Sequence, residues 1–312
     1  MSNFDVALAE AAALTDAAMD DLIPISDGPE KQVMEAMRYS VLAGGKRLRP
    51  FLVIASADLF SVSRSCSERV AAAIEMVHTY SLIHDDLPAM DDDDLRRGKP
   101  TCHVKYGEAT AILAGDGLLT LAFEIIAGEE THVRAEVRCE LALELARAIG
   151  PQGMVGGQML DLMAEDRNFD VPEITRLQRM KTGALIGISC LAGAILGKAN
   201  KNQRHMLKAY AHDLGLAFQL IDDLLDIEGS EEEMGKAVNK DKAAGKATFV
   251  TLLGPERARS QAKLLIQQAI KHLEIFEEKG NLLRGWRNLW NYAEINNKLG
   301  IIVPHQGRNI GN

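Results

Sequence analysis

The chain has 312 residues, 47% of them hydrophobic, and carries a formal net charge of -9 at neutral pH. That length and apolar content suit a globular protein with an extended core, arranged as one large domain or two ordinary ones. The acidic balance excludes a generally basic surface for nucleic acid. We therefore expect no nucleic-acid partner, and any anion site must come from a local cluster of Lys and Arg.

Signals of cellular compartment favour the cytoplasm. The cysteines, Cys66, Cys102, Cys139 and Cys190, are widely spaced and form no CxxC pair, so we expect reduced thiols. The first twenty residues lack a basic segment followed by an apolar one, which argues against a secretory signal. The uncharged run TGALIGISCLAGAILG is shorter than the roughly 20 residues of a membrane-spanning helix. We interpret it as a buried core helix and predict no membrane span.

Helical spacing and helix-forming composition dominate the sequence. In chain order, the predicted helices cover residues 6–22, 30–42, 68–87, 109–127, 133–149, 201–227 and 256–278. They are separated by breakers at Pro29, Gly44-Gly45, Pro50, Gly150-Pro151, Pro172 and Gly254-Pro255. Strand signals are nearly absent, and no flexible linker marks a second domain. We predict one all-α domain, a single bundle of long helices, over residues 1–278.

The C-terminal residues 279–312 differ from the rest of the chain. This segment is rich in Asn, contains both Trp residues and lacks the preceding Ala/Leu/Glu pattern. We treat it as a separate segment of unknown role, which is a genuine extension, a tail or sequence not native to the domain.

Two clusters of aspartates lie inside otherwise apolar sequence. The first is Asp85, Asp86 and the run Asp91, Asp92, Asp93 and Asp94 in IHDDLPAMDDDDLRRG, and the second is Asp222, Asp223 and Asp226 in FQLIDDLLDIEG. Close carboxylates repel each other unless a cation binds between them, and Mg²⁺ takes oxygen ligands. Taken alone, such an acidic run is more often a solvated surface. With the second cluster, the sequence predicts a cation site.

The spacing of the aspartates indicates which of them could share an ion. Asp222 and Asp226 are four residues apart in a helical stretch, so both project from one face. Pro88 disturbs the helix that carries Asp85, which leaves Asp91 and Asp92 as alternatives for its partner. We favour Asp91. The predicted metal ligands are Asp85, Asp91, Asp222 and Asp226.

Basic side chains accompany both clusters. GGKRLRP contributes Lys46 and Arg49, RRG contributes Arg96 and Arg97, KTG contributes Lys181 beside Thr182, and GKAVNKDKAAGKAT contributes Lys236 and Lys246. A single surface cation is usually solvated, but this number would serve a site for two diphosphates, because Arg and Lys bind phosphate oxygens. His78 is seven residues before Asp85 and shares its helix face. A core histidine with one hydrogen bond is the alternative.

In this order, the motifs resemble those of the trans-prenyltransferase family, the isoprenyl diphosphate synthases, from about residue 30 to about residue 278. The match includes GGKRLRP, both aspartate motifs, RRG, KTG at 181–183, Gln219 and GKxxxKDxxxGKAT at 235–248. The resemblance implies the isoprenoid synthase fold, in which helices surround a central active-site cavity, and a homodimer. Asn239 departs from the Gly of many relatives, and the family's short basic ending is not recognisable here.

The resemblance also implies a head-to-tail condensation of isopentenyl diphosphate with an allylic diphosphate. Three Mg²⁺ ions, with Mn²⁺ as an alternative, would activate the allylic diphosphate for ionisation to a carbocation. The implied catalytic residues are Asp85, Asp86, Asp91, Arg96, Lys181, Asp222 and Lys236. Arg96, Lys181, Thr182, Gln219, Lys236 and Lys246 would bind the allylic diphosphate. Lys46, Arg49, His78 and Arg97 would bind isopentenyl diphosphate.

Product length is predicted from the residues just before the first aspartate motif. Tyr80 is five residues before Asp85, about 7.5 Å along a helix, and with Ser81 beside it could form the floor of an apolar pocket. An aromatic residue there, with the insertion Pro88-Ala89, resembles family members that make farnesyl diphosphate. We predict that C15 product, with geranylgeranyl diphosphate or another short chain as the alternative. A core tyrosine with a satisfied hydroxyl is the structural alternative.

Two other functions compete with this one. A terpene cyclase would use the same metal-assisted ionisation, but its second motif usually contains Asn, Ser or Thr and Glu. A non-catalytic subunit of a heteromeric prenyl synthase would be expected to have lost one acidic cluster. Both clusters are intact, so we favour a condensing enzyme.

Overall fold

The computed structural model describes residues 2–228 and 248–287. They form an all-α bundle, which confirms the predicted fold class. The bundle contains one β-hairpin, whose two strands have two residues each. The first half contains α1 Asn3–Leu22, α2 Lys31–Val41, α3 Leu48–Asp58, α4 Arg64–Asp85, β1 Leu95–Arg96, β2 Lys99–Pro100, α5 Cys102–Tyr106 and α6 Glu108–Ala127.

The second half continues the bundle. It contains α7 Ala135–Ile149, α8 Met154–Asp166, α9 Val171–Gln178, a π-helical turn Arg179–Gly183, α10 Ala184–Leu196, α11 Lys201–Glu228, α12 Phe249–Leu253, α13 Pro255–His272, a 3₁₀ segment Glu274–Gly280 and α14 Asn281–Arg284. We refer to Arg179–Gly183 as the π-turn. It joins α9 to α10 without a break in the helical path.

Helices α3, α8 and α9 and the short helices α5, α12 and α14 were not predicted, and two prolines explain part of the error. Pro50 and Pro172 were interpreted as breakers, but each lies in the first turn of a helix, α3 and α9 respectively. Proline is tolerated there because the first N–H groups have no partner within the helix. The last predicted helix was also too long, since α13 ends at His272 and Glu277 has a φ of 47°.

The core is centred on α10, which packs against α3 and α11. Every residue of α10 from Leu185 to Leu196 is buried, apart from a partly exposed Gly187. Gly193 permits the close approach to α3, because a Cβ there would lie 2.3 Å from the backbone nitrogen of Ala57. This packing agrees with the interpretation of the uncharged run as a core helix.

Two helices are long and apolar enough to cross a membrane by length and composition alone. They are α6 and the continuous helix Val171–Leu196. In the second, 67% of the apolar window is buried inside the protein, as in the core helix of a globular domain; in α6 the share is 39%. The exposed apolar residues of α6 are considered below as a subunit contact.

The predicted C-terminal segment begins within packed structure. Trp286 is buried, and its ring centroid lies 5.4 Å from that of Phe4 and 6.0 Å from that of Phe51. The backbone carbonyl of Leu283 accepts a hydrogen bond from the Tyr210 hydroxyl at 3.0 Å. Residues 279–287 thus pack on α1, α3 and α11. Residues 288–312 lie outside the described residues, and the boundary at residue 278 stays a prediction.

Candidate active site

The first aspartate cluster folds back on the end of α4. The backbone N–H of Asp91 donates to the carbonyl of Asp85 at 2.8 Å, and that of Asp93 donates to the carbonyl of Asp86 at 3.2 Å. Asp92 adopts a left-handed φ of 50° and donates to the carbonyl of Leu87 instead. The loop therefore places Asp91 beside Asp85, while the Asp92 backbone turns away.

Asp85 lies in an environment that disfavours its charge. Burial raises the pKa of its carboxyl to about 6, the nearby charge of Lys181 opposes this rise, and the neighbouring Asp91 adds to it. A positively charged partner bound at this carboxylate would stabilise the ionised form. The charge of Lys181 in the π-turn therefore acts on the carboxylate at the end of α4.

Asp86 and Arg96 form a bidentate ion pair. The Arg96 Nε donates to both carboxylate oxygens of Asp86, at 2.7 and 2.9 Å, and Asp86 is only 3% exposed. Arg96 also lies 3.6 Å from a carboxylate oxygen of Asp93. Burial raises the pKa of Asp86 against the effect of these hydrogen bonds. Asp86 thus orients Arg96 at the site.

Arg97 joins the RRG loop to the GGKRLRP loop. Its guanidinium donates to the backbone carbonyl of Gly44 and packs over Gly45. A Cβ at position 45 would lie 2.6 Å from Arg97 Nη1, so a larger residue would collide with the guanidinium. The backbone φ of Gly45, 139°, also favours glycine. These contacts bring together two basic motifs that are 50 residues apart in the sequence.

Arg47 is a residue of the GGKRLRP loop that the sequence analysis missed. Its side chain is fully buried and donates to Glu75 at 2.8 Å and to Asp16 at 2.8 Å. It has a left-handed φ of 47° at the start of α3, a costly conformation for a non-glycine residue. These ion pairs, of which the one with Glu75 is buried, fix this turn and so position Lys46 and Arg49, which are partly exposed on either side. No spacing signal could have revealed partners on α1 and α4.

His78 lies among the arginines of these loops. Desolvation by the surrounding protein lowers the pKa of its ring well below 6.5, and the positive charges of Arg49, Arg97, Arg96 and Arg47 lower it further. The imidazole is therefore neutral at physiological pH and able both to donate and to accept a hydrogen bond. The structure thus places His78 within the field of three other predicted diphosphate-binding residues, Arg49, Arg96 and Arg97.

The π-turn holds Lys181 through a second residue that was missed. Lys181 Nζ donates to Asp161 Oδ2 at 2.7 Å. Asp161 lies on α8, and the same helix approaches the π-turn closely at Gly157, where a Cβ would lie 2.2 Å from the Lys181 backbone nitrogen. The only available signal was the apolar helix GGQMLDL with one charged residue in it. π-Helical segments frequently mark functional sites.

A chain of polar contacts links the π-turn to α11 and α12. Thr182 Oγ1 lies 3.5 Å from Gln219 Oε1, and Gln219 Nε2 donates to Asp223 Oδ1 at 2.8 Å. Asp223 is buried, and its other oxygen accepts from the backbone N–H of Phe249 at 3.1 Å. Asp222 is partly exposed beside this chain. The side chain of Asp226 and the residues Lys236, Asn239 and Lys246 lie outside the described residues.

The family model "Polyprenyl synthetase" matches residues 30–282 of the chain. The chain belongs to the polyprenyl synthetase family. This membership confirms the resemblance on which the sequence analysis relied.

Characterised relatives of this polyprenyl synthetase cover most of its length. Farnesyl diphosphate synthase of Escherichia coli (strain K12) is 48% identical over 259 residues, which are 82% of this chain and 86% of that protein. Geranylgeranyl diphosphate synthase of Cyanophora paradoxa is 44% identical over 79% of this chain and 83% of that protein. The apo crystal structure of an FPP/GFPP synthase from Zymomonas mobilis is 49% identical, with a TM-score of 0.84 over 92% of this chain and 98% of that chain.

Tyr80 and Ser81 differ in how the polyprenyl synthetase fold places them. Tyr80 is 7% exposed and packs edge-on against His84, with ring centroids 5.7 Å apart. Burial raises the pKa of its hydroxyl to about 12, with a further contribution from Asp85. The Ser81 hydroxyl donates to the backbone carbonyl of His78 at 2.8 Å within α4.

The acidic residues of this polyprenyl synthetase fit hard cations. Within residues 2–228 and 248–287, no three His, Cys, Asp or Glu side chains form a ready-made site for one ion. Mg²⁺, however, is usually bound through one or two carboxylates and completes its shell with substrate phosphates. Asp85, whose pKa is raised by burial and by Asp91, is a carboxylate that a divalent cation would stabilise.

Proposed function

We propose that this protein condenses isopentenyl diphosphate with dimethylallyl and geranyl diphosphate to give (2E,6E)-farnesyl diphosphate and diphosphate. The observation that carries the proposal is the environment of Asp85, where acidic residues, Lys181 and the Arg96 ion pair meet at the end of α4. An enzyme that removes a diphosphate needs cations at the departing group. Family membership and the 48% identity to a farnesyl diphosphate synthase support the same reaction.

We assign the allylic diphosphate to the space between α4, the π-turn and α11. Asp85, Asp91, Asp222 and Asp226 would hold three Mg²⁺ ions, or Mn²⁺ in their place. Bound there, the metal ions would supply charge stabilisation to the leaving diphosphate. The basic residues would bind its oxygens directly, with Asp161 and Asp86 orienting Lys181 and Arg96. The complete assigned set adds Thr182 and Gln219, with Lys236 and Lys246 from beyond the described residues.

We assign isopentenyl diphosphate to the two joined basic loops. Lys46, Arg49 and Arg97 would bind its diphosphate, and the neutral His78 would add a hydrogen bond. Fixing both substrates makes the attack of the double bond on the allylic cation effectively intramolecular. No protein nucleophile is required, because the electrons of the new bond come from the double bond. The departing proton is assigned to the released diphosphate.

The test is a direct assay of the purified full chain. We expect Mg²⁺, isopentenyl diphosphate and geranyl diphosphate to yield diphosphate and a C15 product, and a chelator to abolish the reaction. Chromatography of the products distinguishes C15 from C20, the length expected of a geranylgeranyl diphosphate synthase. Absence of diphosphate release with either a C5 or a C10 allylic substrate would contradict the proposal and favour a non-catalytic subunit.

Product length is assigned to Tyr80, which lies one helical turn or more before Asp85. Because its ring is buried beside that residue, replacing it should lengthen the space available to the growing chain. We expect Tyr80→Ala to make products longer than C15, while Ser81→Ala, one residue further along α4, changes length less. An unchanged C15 product from Tyr80→Ala would remove Tyr80 from this role.

We further propose a cytoplasmic homodimer. The contact surface is assigned to the exposed apolar side chains of α6 and α8, which include Ile112, Leu113, Val155 and Met159, each 44–55% exposed. Exposed apolar side chains become buried when two such surfaces meet in a dimer. Light scattering with size exclusion should give twice the mass of the 34.1 kDa chain. Leu113→Glu should give the monomer mass, and a monomeric unmodified protein would contradict the assignment.

A further inference from the structure

The π-turn also borders a cavity that is lined by none of the predicted active-site residues within the described part of the chain. This cavity, which we call the outer cavity, has a volume of about 590 Å³ and walls from α7, α9, the π-turn, α10 and α11. A volume of this size is within the range of small-molecule sites.

The walls of the outer cavity carry an excess of positive charge. Its cations are Arg147, Arg176, Arg179 and Lys208, and its one carboxylate is Glu144. Arg147 pairs with Glu144 at 2.7 Å. The other three cations form no ion pair within the described part of the chain, so the charge of the cavity is +3 in a protein whose total is -9. Such a cluster attracts anions against the overall charge.

The floor of the outer cavity is apolar. It is formed by Met180 of the π-turn and by one face of α10, including Gly187, Ile188 and Leu191. A Cβ placed on Gly187 would meet no other atom within 4 Å, so this residue opens directly onto space. The cavity therefore combines a cationic rim with an apolar floor.

We propose that the outer cavity binds a small phosphate monoester that carries a short apolar chain. The guanidinium groups of Arg176 and Arg179 suit a doubly charged phosphate, because each can donate two parallel hydrogen bonds to its oxygens. The hydrocarbon part would cover Gly187 and Ile188. The positive charge of the cavity favours a phosphate head group. Its concave shape favours one small molecule over the extended surface of a macromolecule or a membrane.

The π-turn connects this ligand to the proposed active site. Arg179, Met180 and Gly183 line the outer cavity, whereas Lys181 binds Asp161 and Thr182 contacts Gln219. The five consecutive residues of the π-turn are thus divided between the two sites. A shift of the π-turn that improves contacts with a ligand in the outer cavity therefore also moves Lys181. Occupancy of the outer cavity should change the KM for the allylic diphosphate. This second part rests on the proposed function, whereas binding itself does not.

Binding is tested with n-hexyl phosphate as the probe and isothermal titration calorimetry on the full chain. Magnesium is left out, to weaken competing binding at the aspartate clusters. We expect one site, with affinity reduced at least about tenfold in the double variant Arg176→Gln/Arg179→Gln. Gly187→Leu, which fills the floor without removing charge, should reduce affinity similarly. Arg134→Gln, an exposed arginine elsewhere, should leave it unchanged.

Several outcomes would overturn the binding site. One is the absence of saturable binding of hexyl phosphate at millimolar concentration. Another is binding that persists in both outer-cavity variants but is lost in Arg49→Gln. Equal affinity for inorganic phosphate would contradict the role of the apolar floor. Sedimentation with phosphatidic acid vesicles, without binding of hexyl phosphate, would identify a lipid surface as the partner and also overturn the proposal.

Coupling is tested in the prenyl transfer assay. Saturating hexyl phosphate should change the KM for geranyl diphosphate about two- to tenfold in the unmodified protein and not in Arg176→Gln/Arg179→Gln. An equal effect in both proteins indicates competition at the active site and overturns the coupling. If the protein shows no prenyl transfer at all, the proposed function fails while the calorimetric result stands by itself.

Discussion

In the first aspartate pair, the second carboxylate, that of Asp86, is buried and bound by Arg96. In the second pair, Asp223 occupies the same place in the motif, but it is bound by Gln219 and the backbone N–H of Phe249. The first residue of each pair, Asp85 or Asp222, is left partly exposed. In each pair one carboxylate is therefore buried and bound within the protein, while the other is the one that we propose binds ligands.

The two buried carboxylates, Asp86 and Asp223, differ in the groups that they bind. Asp86 is ten residues from Arg96 and orients a charged side chain within its own cluster. Asp223 is 26 residues from Phe249 and fixes the start of α12 to α11. Loss of Asp86 should disturb one arginine, whereas loss of Asp223 should loosen the attachment of α12 to α11.

The largest effect should come from the two partly exposed aspartates. Asp85→Asn and Asp222→Asn should each lower kcat about 10²- to 10³-fold, because each removes a charge that we propose binds metal at the departing diphosphate. Steady-state kinetics at saturating Mg²⁺ measures the loss. Melting temperatures should change little, because Asn keeps the shape of each side chain and both positions are partly exposed.

Asp94→Asn is the matched control in the same acidic run. Asp94 is exposed, and its backbone carbonyl, which the substitution leaves intact, accepts from the N–H of Thr101. We expect this variant to keep most of its activity. If Asp94→Asn were as inactive as Asp85→Asn, every aspartate of the acidic run would contribute to activity. The distinct role proposed for Asp85 would then be wrong.

The next effect is on stability and concerns Asp223. Asp223→Ala leaves the Gln219 amide and the Phe249 N–H without their buried acceptor, which should cost about 1–3 kcal/mol of unfolding free energy. Urea denaturation followed by circular dichroism measures this cost. Asp222→Ala, one residue earlier, should cost less than half as much, because Asp222 is partly exposed and water can replace its carboxylate. Equal costs would show that the two carboxylates are not divided in this way.

A smaller effect is expected at the other structural carboxylate. Arg96→Gln should cost about 1–2 kcal/mol, since Arg96 is itself 33% exposed and water can partly replace it at Asp86. In the double variant Asp86→Asn/Arg96→Gln, the loss should be smaller than the sum of the single losses. Strict additivity in denaturant titrations would mean that the ion pair contributes nothing.

The smallest effect is a pH dependence at His78. Its native pKa lies well below 6.5, so below about pH 6.5 the unfolded chain binds a proton that the folded chain does not. Stability present above that pH should fall as the pH drops toward the native pKa, by about 1 kcal/mol near pH 5.5. His78→Gln should flatten this part of the curve of unfolding free energy against pH. If the unmodified protein and His78→Gln gave curves of equal slope, the lowered pKa of His78 in the folded protein would be contradicted.

Local sequence determined the helical class and the family. Periodicity placed most helices, because an apolar face repeats every 3.6 residues whatever packs against it. Spacing put Asp222 and Asp226 on one face of α11, and the order of the motifs indicated the family. These features depend on residues close together in the chain, so they can be read without knowing the fold.

Tertiary structure decided which charged residues pair and where the unexpected helices begin. Arg47 is bound by Glu75 and Asp16, which are 28 and 31 residues away, and Lys181 by Asp161, 20 residues away. The left-handed turn at Arg47 in turn allows α3 to begin just before Pro50. Burial and pairing depend on which helices meet, and a single sequence carries no periodic signal for a contact between distant segments.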